Sequence, residues 1–271
     1  MVKSGEAGGM LDEVLERLAS IGESEMELKG RVRAALAYPV LLVFLSFGIV
    51  TFLLIFILPR FIGIFEESGV TLPLPTRILL GVSFLLRKLW FLLPLGLGAG
   101  GFWLVRFRRS PEGRLWIHRA ILRTPYFGPL ILKTILARAF RILSSLLKSG
   151  IAAVPALAVA EELMGNQVLA QAVARVREQV IGGKSLAEPF RAEKIFPGTI
   201  AQLVAVGERT GALDTTFLHL ADYYEGEVDR ALRAMTSVLE PVLLLSMGLF
   251  VGFIALSVLL PIFQLIRVFQ R

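Results

Sequence analysis

Gly183-Lys184-Ser185 has the ending of a phosphate-binding loop, in which backbone N–H groups cradle phosphate oxygens and the lysine reaches the terminal ones. The first glycine of that motif would fall on Glu178, and a helical stretch precedes it where a strand is required, so Lys184 reads as a turn residue before a helix starting near Ser185. Gly96, Gly98 and Gly101 have the spacing of a dinucleotide fingerprint but lie inside an apolar run without a βαβ unit around them. They read instead as small residues on a helix-packing face, as do Gly248 and Gly252. Glu208, Asp214, Glu225 and Glu227 supply the carboxylate oxygens that a hard divalent cation takes. Against that metal reading, Asp214 suits a helix N-cap and the glutamates a solvated helix face. His118 and His219 are isolated, and the chain has no cysteine, which removes disulfides, thiolate ligands and thiol nucleophiles. No nucleophile, base and orienting acid come together, so neither an enzyme nor a resident cofactor is expected.

The elements that hold these residues are apolar to a degree unusual in a soluble domain. Of the 271 residues 55% are hydrophobic, and the mean hydropathy is +0.70. Val40 to Leu58 and Val242 to Leu260 are uncharged runs of about nineteen residues, enough to cross a bilayer core, and Leu89 to Val105 is a shorter run of about seventeen. Inside them the polar side chains include Ser46, Thr51, Ser246 and Ser257, with no charge, which disfavours an ion or proton pathway. The net charge of +7 sits beside these runs. Lys29, Arg31 and Arg33 precede the first, Arg106, Arg108, Arg109, Arg114, Arg119 and Arg123 follow the second, and Arg230 and Arg233 precede the third. By the positive-inside rule these flanks are cytoplasmic, which puts the N-terminus inside and the C-terminus outside. Nucleic-acid binding is not expected, because no reading motif accompanies the basic residues.

The region between the second and third runs reads as helical. Phe140, Leu143, Leu146 and Leu147 lie at helical spacing before Gly150, a residue suited to ending a helix in the left-handed conformation. A second stripe runs through Phe217, Ala221, Tyr224, Val228, Leu232 and Met235. No turn signal separates it from the third apolar run, so one helix bent at Pro241 is expected.

Placing Val2 on Val204 brings Val2 to Phe61 onto Val204 to Phe263 without a gap. Gly5-Glu6 then matches Gly207-Glu208, Gly9, Leu11 and Asp12 match Gly211, Leu213 and Asp214, and Pro39-Val40-Leu41-Leu42 matches Pro241-Val242-Leu243-Leu244. Two aligned apolar spans explain matched leucines but not matched Gly-Glu, Asp and proline, so an internal duplication is inferred. The second copy extends back to about Arg138, and only the last helix of the first is present, so the first copy is expected to be truncated.

The string Gly207-Glu208-Arg209-Thr210-Gly211-Ala212-Leu213-Asp214, continuing into Leu220-Ala221-Asp222-Tyr223-Tyr224-Glu225, resembles the signature of the GspF/PilC family. So do Leu146-Leu147-Lys148-Ser149-Gly150, Gly183-Lys184-Ser185-Leu186, Phe196-Pro197, Glu240-Pro241 and Leu72-Pro73-Leu74-Pro75-Thr76-Arg77. The resemblance implies an all-α polytopic membrane protein with three transmembrane helices and a cytoplasmic antiparallel bundle of six-helix type. It also implies self-association and a platform role in a type II secretion or type IV pilus machine of the bacterial inner membrane. Its partners would be a cytoplasmic assembly ATPase, inner-membrane scaffold proteins and (pseudo)pilins, with membrane lipid around it. The expected organisation is a remnant of the first repeat at 1–39, spans at 40–58, 89–105 and 240–261, an external segment at 59–88, a cytoplasmic bundle at 106–239 and an external tail at 262–271. Arg138, Arg141 and Lys148 on the bundle, with Arg108, Arg109 and Arg114 near the membrane, are the expected partner contacts, although arginines flanking a span also set topology and meet anionic lipid. The alternative function is a permease component docking on a transport ATPase.

Overall fold

The computed structural model describes residues 11–57, 59–60, 73–89, 92–125 and 127–269. Among them every regular element is helical. In chain order these are α1 (Leu11–Phe52), continued by a π-helical turn (Leu53–Ile57), α2 (Leu74–Leu89), α3 (Leu92–Arg109), α4 (Pro111–Arg123), α5 (Phe127–Lys148), α6 (Ala153–Leu163), α7 (Gln167–Ile181), α8 (Ala187–Ala192), α9 (Gly198–Thr210) and α10 (Leu213–Phe269). Two compact units result: one takes the described residues up to Ala34 with Phe107–Ala234, the other those of Ala35–Arg106 and Met235–Arg271.

The first unit is a helical bundle built on the two expected stripes. Phe140, Leu143 and Leu146 of α5 and Phe217, Ala221, Tyr224, Val228 and Leu232 of α10 are all buried. Phe140 stacks on Phe217 at 5.7 Å between ring centroids and meets Tyr224 at 5.8 Å. Ala156, Leu157 and Ala160 of α6 pack with Leu169, Ala172, Val173 and Val176 of α7, the small residues letting these helices approach closely. The helix ends follow local chemistry. α5 stops where Gly150 takes φ 77°, and the N–H of Ile151 reaches back to the Leu146 carbonyl. Asn166 caps α7 by accepting from the Val168 N–H at 2.9 Å.

The second unit holds the two helical segments long and apolar enough to cross a membrane, within Lys29–Ile57 and Leu213–Leu260. Only 6% and 11% of their most apolar windows are buried, so neither is the core helix of a soluble protein. Phe44, Leu245 and Leu249 are 78%, 79% and 78% exposed, an arrangement costly in water and natural in hydrocarbon. The helices nevertheless touch each other. The Tyr38 hydroxyl donates to Glu240 Oε1 at 3.3 Å, Ser46 Oγ to Met247 Sδ at 3.2 Å, and Leu54, Leu79 and Ile254 form a small buried cluster. Contacts advance together along α1 and α10, so these segments run parallel. Tyr38 and Glu240 are separated by 202 positions, the offset of the sequence repeat, and Ser46 and Met247 by 201, one position short of it. The π-helical turn presents the Leu54 carbonyl to Ser83 Oγ at 2.6 Å, and Thr76 Oγ1 donates to the Ser257 carbonyl at 2.7 Å, which ties α2 to both long helices.

Two sequence expectations are corrected here. α10 begins at Leu213, so Asp214 lies inside the first turn, where a carboxylate favours the helix dipole, and is not the N-cap. A Cβ added at Gly96, Gly98, Gly101, Gly248 or Gly252 would meet nothing within 4 Å among the described residues, so the expected close packing at these glycines is not made among them. The second expected span, Leu89 to Val105, overlaps α3, which is not one of those two membrane-length segments, and Trp90 and Phe91 lie outside the described residues. So do the repeat residues Gly5, Glu6 and Gly9.

Candidate functional site

The densest concentration of motif residues is the corner between α9 and α10, and each has a physical task. A Cβ at Gly207 would lie 2.2 Å from Thr216 Oγ1 and 2.8 Å from Thr216 Cβ, so only glycine allows the two helices to close to this distance. Gly211, at φ 69°, ends α9, and the Ala212 N–H returns to the Gly207 carbonyl at 2.9 Å. Glu208 points away to α8, accepting from the Leu186 N–H at 2.7 Å and the Ala187 N–H at 3.4 Å. It caps the short helix that no side chain of its own caps. Leu213 and Asp214 then open α10.

The same tight chain reversal explains Gly183-Lys184-Ser185. Gly183 takes φ 88°, Lys184 N donates to the Gln179 carbonyl, and Lys184 Nζ donates to Gln179 Oε1 at 3.0 Å. α8 begins at Ala187, two positions beyond the expected Ser185.

α10 carries a row of carboxylates engaged by basic side chains. Arg141 binds Glu225 Oε1 at 2.6 Å and Asp222 Oδ1 at 2.7 Å, and Lys133 binds Glu227 Oε2 at 2.6 Å. Arg230 also bonds Glu227, and Arg31 pairs with Glu27 and, at 3.6 Å, with Asp229. The hydrogen bond from Lys133, then that from Arg230, holds the Glu227 carboxyl below the usual carboxylate range, and Arg31 does the same to Glu27. Glu208, Asp214 and Glu225 therefore have separate tasks, and among the described residues no three His, Asp or Glu side chains converge as a metal site would require.

The expected partner contacts divide. Arg141 is committed to the ion pairs just described, and Arg138 beside it is half-buried. Lys148 is exposed at the end of α5. Arg108, Arg109 and Arg114 are exposed, with Arg119 and Arg123 further along α4. Near them, half-buried His118 accepts from the Gln167 N–H through Nδ1 at 2.9 Å, joining α4 to the start of α7. Burial, then the charges of Arg114 and Arg108, lowers the proton affinity of its imidazole, which keeps Nδ1 available as an acceptor. In the sequence this histidine is isolated, because its acceptor role depends on a backbone N–H 49 positions away.

Residues 1–59 and 139–261 match the family described as type II secretion system (T2SS), protein F. The chain is similar to the type IV pilus assembly protein PilC of Thermus thermophilus, at 40% identity over 98% of this chain and 66% of that protein. It is 34% identical to the PilC of Pseudomonas aeruginosa over 98% of this chain and 71% of that protein. To the type II secretion system protein F of Xanthomonas campestris it is 36% identical, over 98% of this chain and 65% of that protein. The chain thus spans about two thirds of the length of the curated relatives it matches. With the matched segments covering the α9–α10 corner, the ion-paired row and both long apolar segments, the chain belongs to the type II secretion system protein F family.

Proposed function

We propose that the protein is a platform in the inner membrane of a type IV pilus or type II secretion machine, where its bundle receives a cytoplasmic assembly ATPase and its spans meet (pseudo)pilins. The observation that carries this reading is α10. Its first half places Phe217, Tyr224 and Val228 in the bundle core, and its second half presents Leu245 and Leu249 outward, all on one helix from Leu213 to Phe269. At 1.5 Å per residue that helix extends roughly 85 Å. A helix shared in this way passes a tilt or rotation of the bundle into the bilayer, which a flexible linker would dissipate.

The topology is argued from the parallel contact of α1 with α10 in the second unit. Two parallel spans require a return crossing between them. We assign that crossing to α3, an 18-residue helix that is apolar from Leu92 to Val105 and closes in Arg106, Arg108 and Arg109 as its basic cytoplasmic end; the uncharged sequence run that contains it begins at Leu89. This supports a reading with three spans, a cytoplasmic bundle at 106–239 and the N-terminus inside. Relatives named for pilus assembly and for secretion support both machines equally.

The test is reconstitution of the full chain in lipid nanodiscs, with titration of the host's hexameric assembly ATPases and measurement of binding and ATP turnover. Saturable binding to one ATPase with altered turnover is expected and names the machine. Binding to none of them, by a chain shown to be folded, refutes the proposal.

A further inference from the structure

Five guanidinium groups of the bundle have an acidic partner in the same unit: Arg31, Arg141, Arg175, Arg177 and Arg230 are all ion-paired. The end of α3 and the helix α4 carry a second, different set. Arg108, Arg109, Arg114, Arg119 and Arg123 are exposed, and among the described residues none of them enters a salt bridge. Glu112 is the one acidic side chain within α4.

Trp116 stands among these arginines, 65% exposed, with Phe107 edge-on at 6.1 Å. Trp116, Arg119 and Arg123 share one face of α4, at helical positions i, i+3 and i+7. The opposite side, with half-buried Leu115, Ile117 and His118, packs into the bundle against α5 and α7. The apolar side of α4 is therefore already occupied, and what remains outward is an indole followed along its face by Arg119 and Arg123 and preceded one turn earlier by Glu112.

The corner that presents this face is rigid. Ser110 Oγ accepts from the Gly113 N–H at 3.1 Å and donates to the Phe107 carbonyl at 2.9 Å. A Cβ at Gly113 would lie 2.1 Å from the Phe107 oxygen, so glycine alone permits the turn. Ser110 also separates α4 by a single residue from the end of α3.

We infer that the outer face of α4 is a docking surface for the anionic headgroups of the cytoplasmic leaflet, with Trp116 seated at the headgroup level and Arg119 and Arg123 on lipid phosphates. Guanidinium forks match phosphate oxygens in geometry, and an indole with one apolar and one polar edge suits the boundary between hydrocarbon and water. The inference rests on the membrane reading of α3, because a helix that begins one residue after a span starts at the bilayer surface. It deepens that reading by giving the bundle a second, lipid-mediated attachment independent of the spans.

The experiment uses the full chain with Trp116 as the only tryptophan, obtained by Trp90→Phe and Trp103→Phe, in vesicles of equal phosphatidylcholine and phosphatidylglycerol. The bromine quencher is placed near the headgroup end of the acyl chain, on one lipid class at a time. Brominated phosphatidylglycerol is expected to quench Trp116 at least about twofold more than brominated phosphatidylcholine, in keeping with the attraction of basic residues to anionic lipid. Combined Arg119→Gln and Arg123→Gln should bring the ratio to unity, and the corresponding Lys variants should retain it. Equal quenching by the two lipids in the parent chain overturns the inference. So does Trp116 that only aqueous acrylamide reaches, or that becomes shielded only on adding an assembly ATPase or a polyanion such as RNA. A companion chain with Trp103 as the only tryptophan separates the two readings. If bromolipid quenches Trp103 but not Trp116, the span stands and the docking surface falls; if it reaches neither, the span reading of α3 fails.

Discussion

Replacing Gly207 by Ala adds one methyl group at the α9–α10 corner, and its cost can be worked out from two distances. The new carbon would sit 2.2 Å from Thr216 Oγ1 and 2.8 Å from Thr216 Cβ. Rotating the threonine removes the first clash but cannot move its Cβ. The helices must therefore separate by about 1 Å to reach ordinary carbon–carbon contact. The return bond from Ala212 N to the Gly207 carbonyl ties them together at that point, so separation also strains the helix stop. Overpacking of this kind costs about 1–3 kcal/mol, and the better helix propensity of alanine returns up to about 1 kcal/mol. The expected net loss is about 1–2 kcal/mol, a fall in Tm of roughly 3–6 °C for a domain of this size, read by circular dichroism on the full chain in detergent. The decisive comparison is between second-site changes. Thr216→Gly should recover the loss, because it removes the offending Cβ, whereas Thr216→Ala should not. If Gly207→Ala were as stable as the parent, or if both second-site changes rescued equally, the steric account would be refuted.

Other expectations follow from single contacts. Glu208→Ala leaves the Leu186 and Ala187 N–H groups without their acceptor and should cost about 1–3 kcal/mol in chemical denaturation, with Glu208→Gln costing less because one acceptor oxygen survives. Arg141→Met should cost about 1–2 kcal/mol by stranding Asp222 and Glu225, and a double-mutant cycle with Glu225→Gln should show coupling between the two positions. His118 binds its proton less readily folded than at the ordinary histidine value of 6.5, so its contribution is complete above that pH. It is lost as the pH falls below 6.5, because the unfolded chain then takes a proton that the folded one resists, and His118→Asn should remove that part of the slope. Glu27, Glu193 and Glu227, held low by Arg31, Arg175 and Lys133, should add a second loss only at more acidic pH, as the pH falls from 4.5 through their folded values.

The fold was legible wherever its cause was local. The stripes of α5 and α10 follow from a 3.6-residue period, the stop at Gly150 from a residue that tolerates φ 77°, and the long segments from unbroken hydrophobicity. What escaped depends on partners distant in sequence. Glu208 was weighed as a cation ligand because its role as a cap belongs to a helix 22 positions upstream. Arg141 was expected to face a partner because its carboxylates lie 81 and 84 positions away. Asp214 was assigned as N-cap on residue type, whereas the helix opens a residue earlier by following directly from the tight Gly211 turn. The exposure of Trp116 is set by how α4 packs and is not legible in composition.

The contact between Tyr38 and Glu240 has a consequence for the protein's history. The two residues occupy the same place in the two copies of the repeat, so α1 meets α10 as a chain would meet its own image in a parallel symmetric pair. In such a pair each position faces itself, and a glutamate there would confront a second glutamate. Fusion of the copies into one chain lifts that restriction: one position can donate and its twin accept, as the phenol and carboxylate do here. Asymmetry of this kind fixes which copy is which, so a second protein arriving at the paired spans would meet two distinguishable sides.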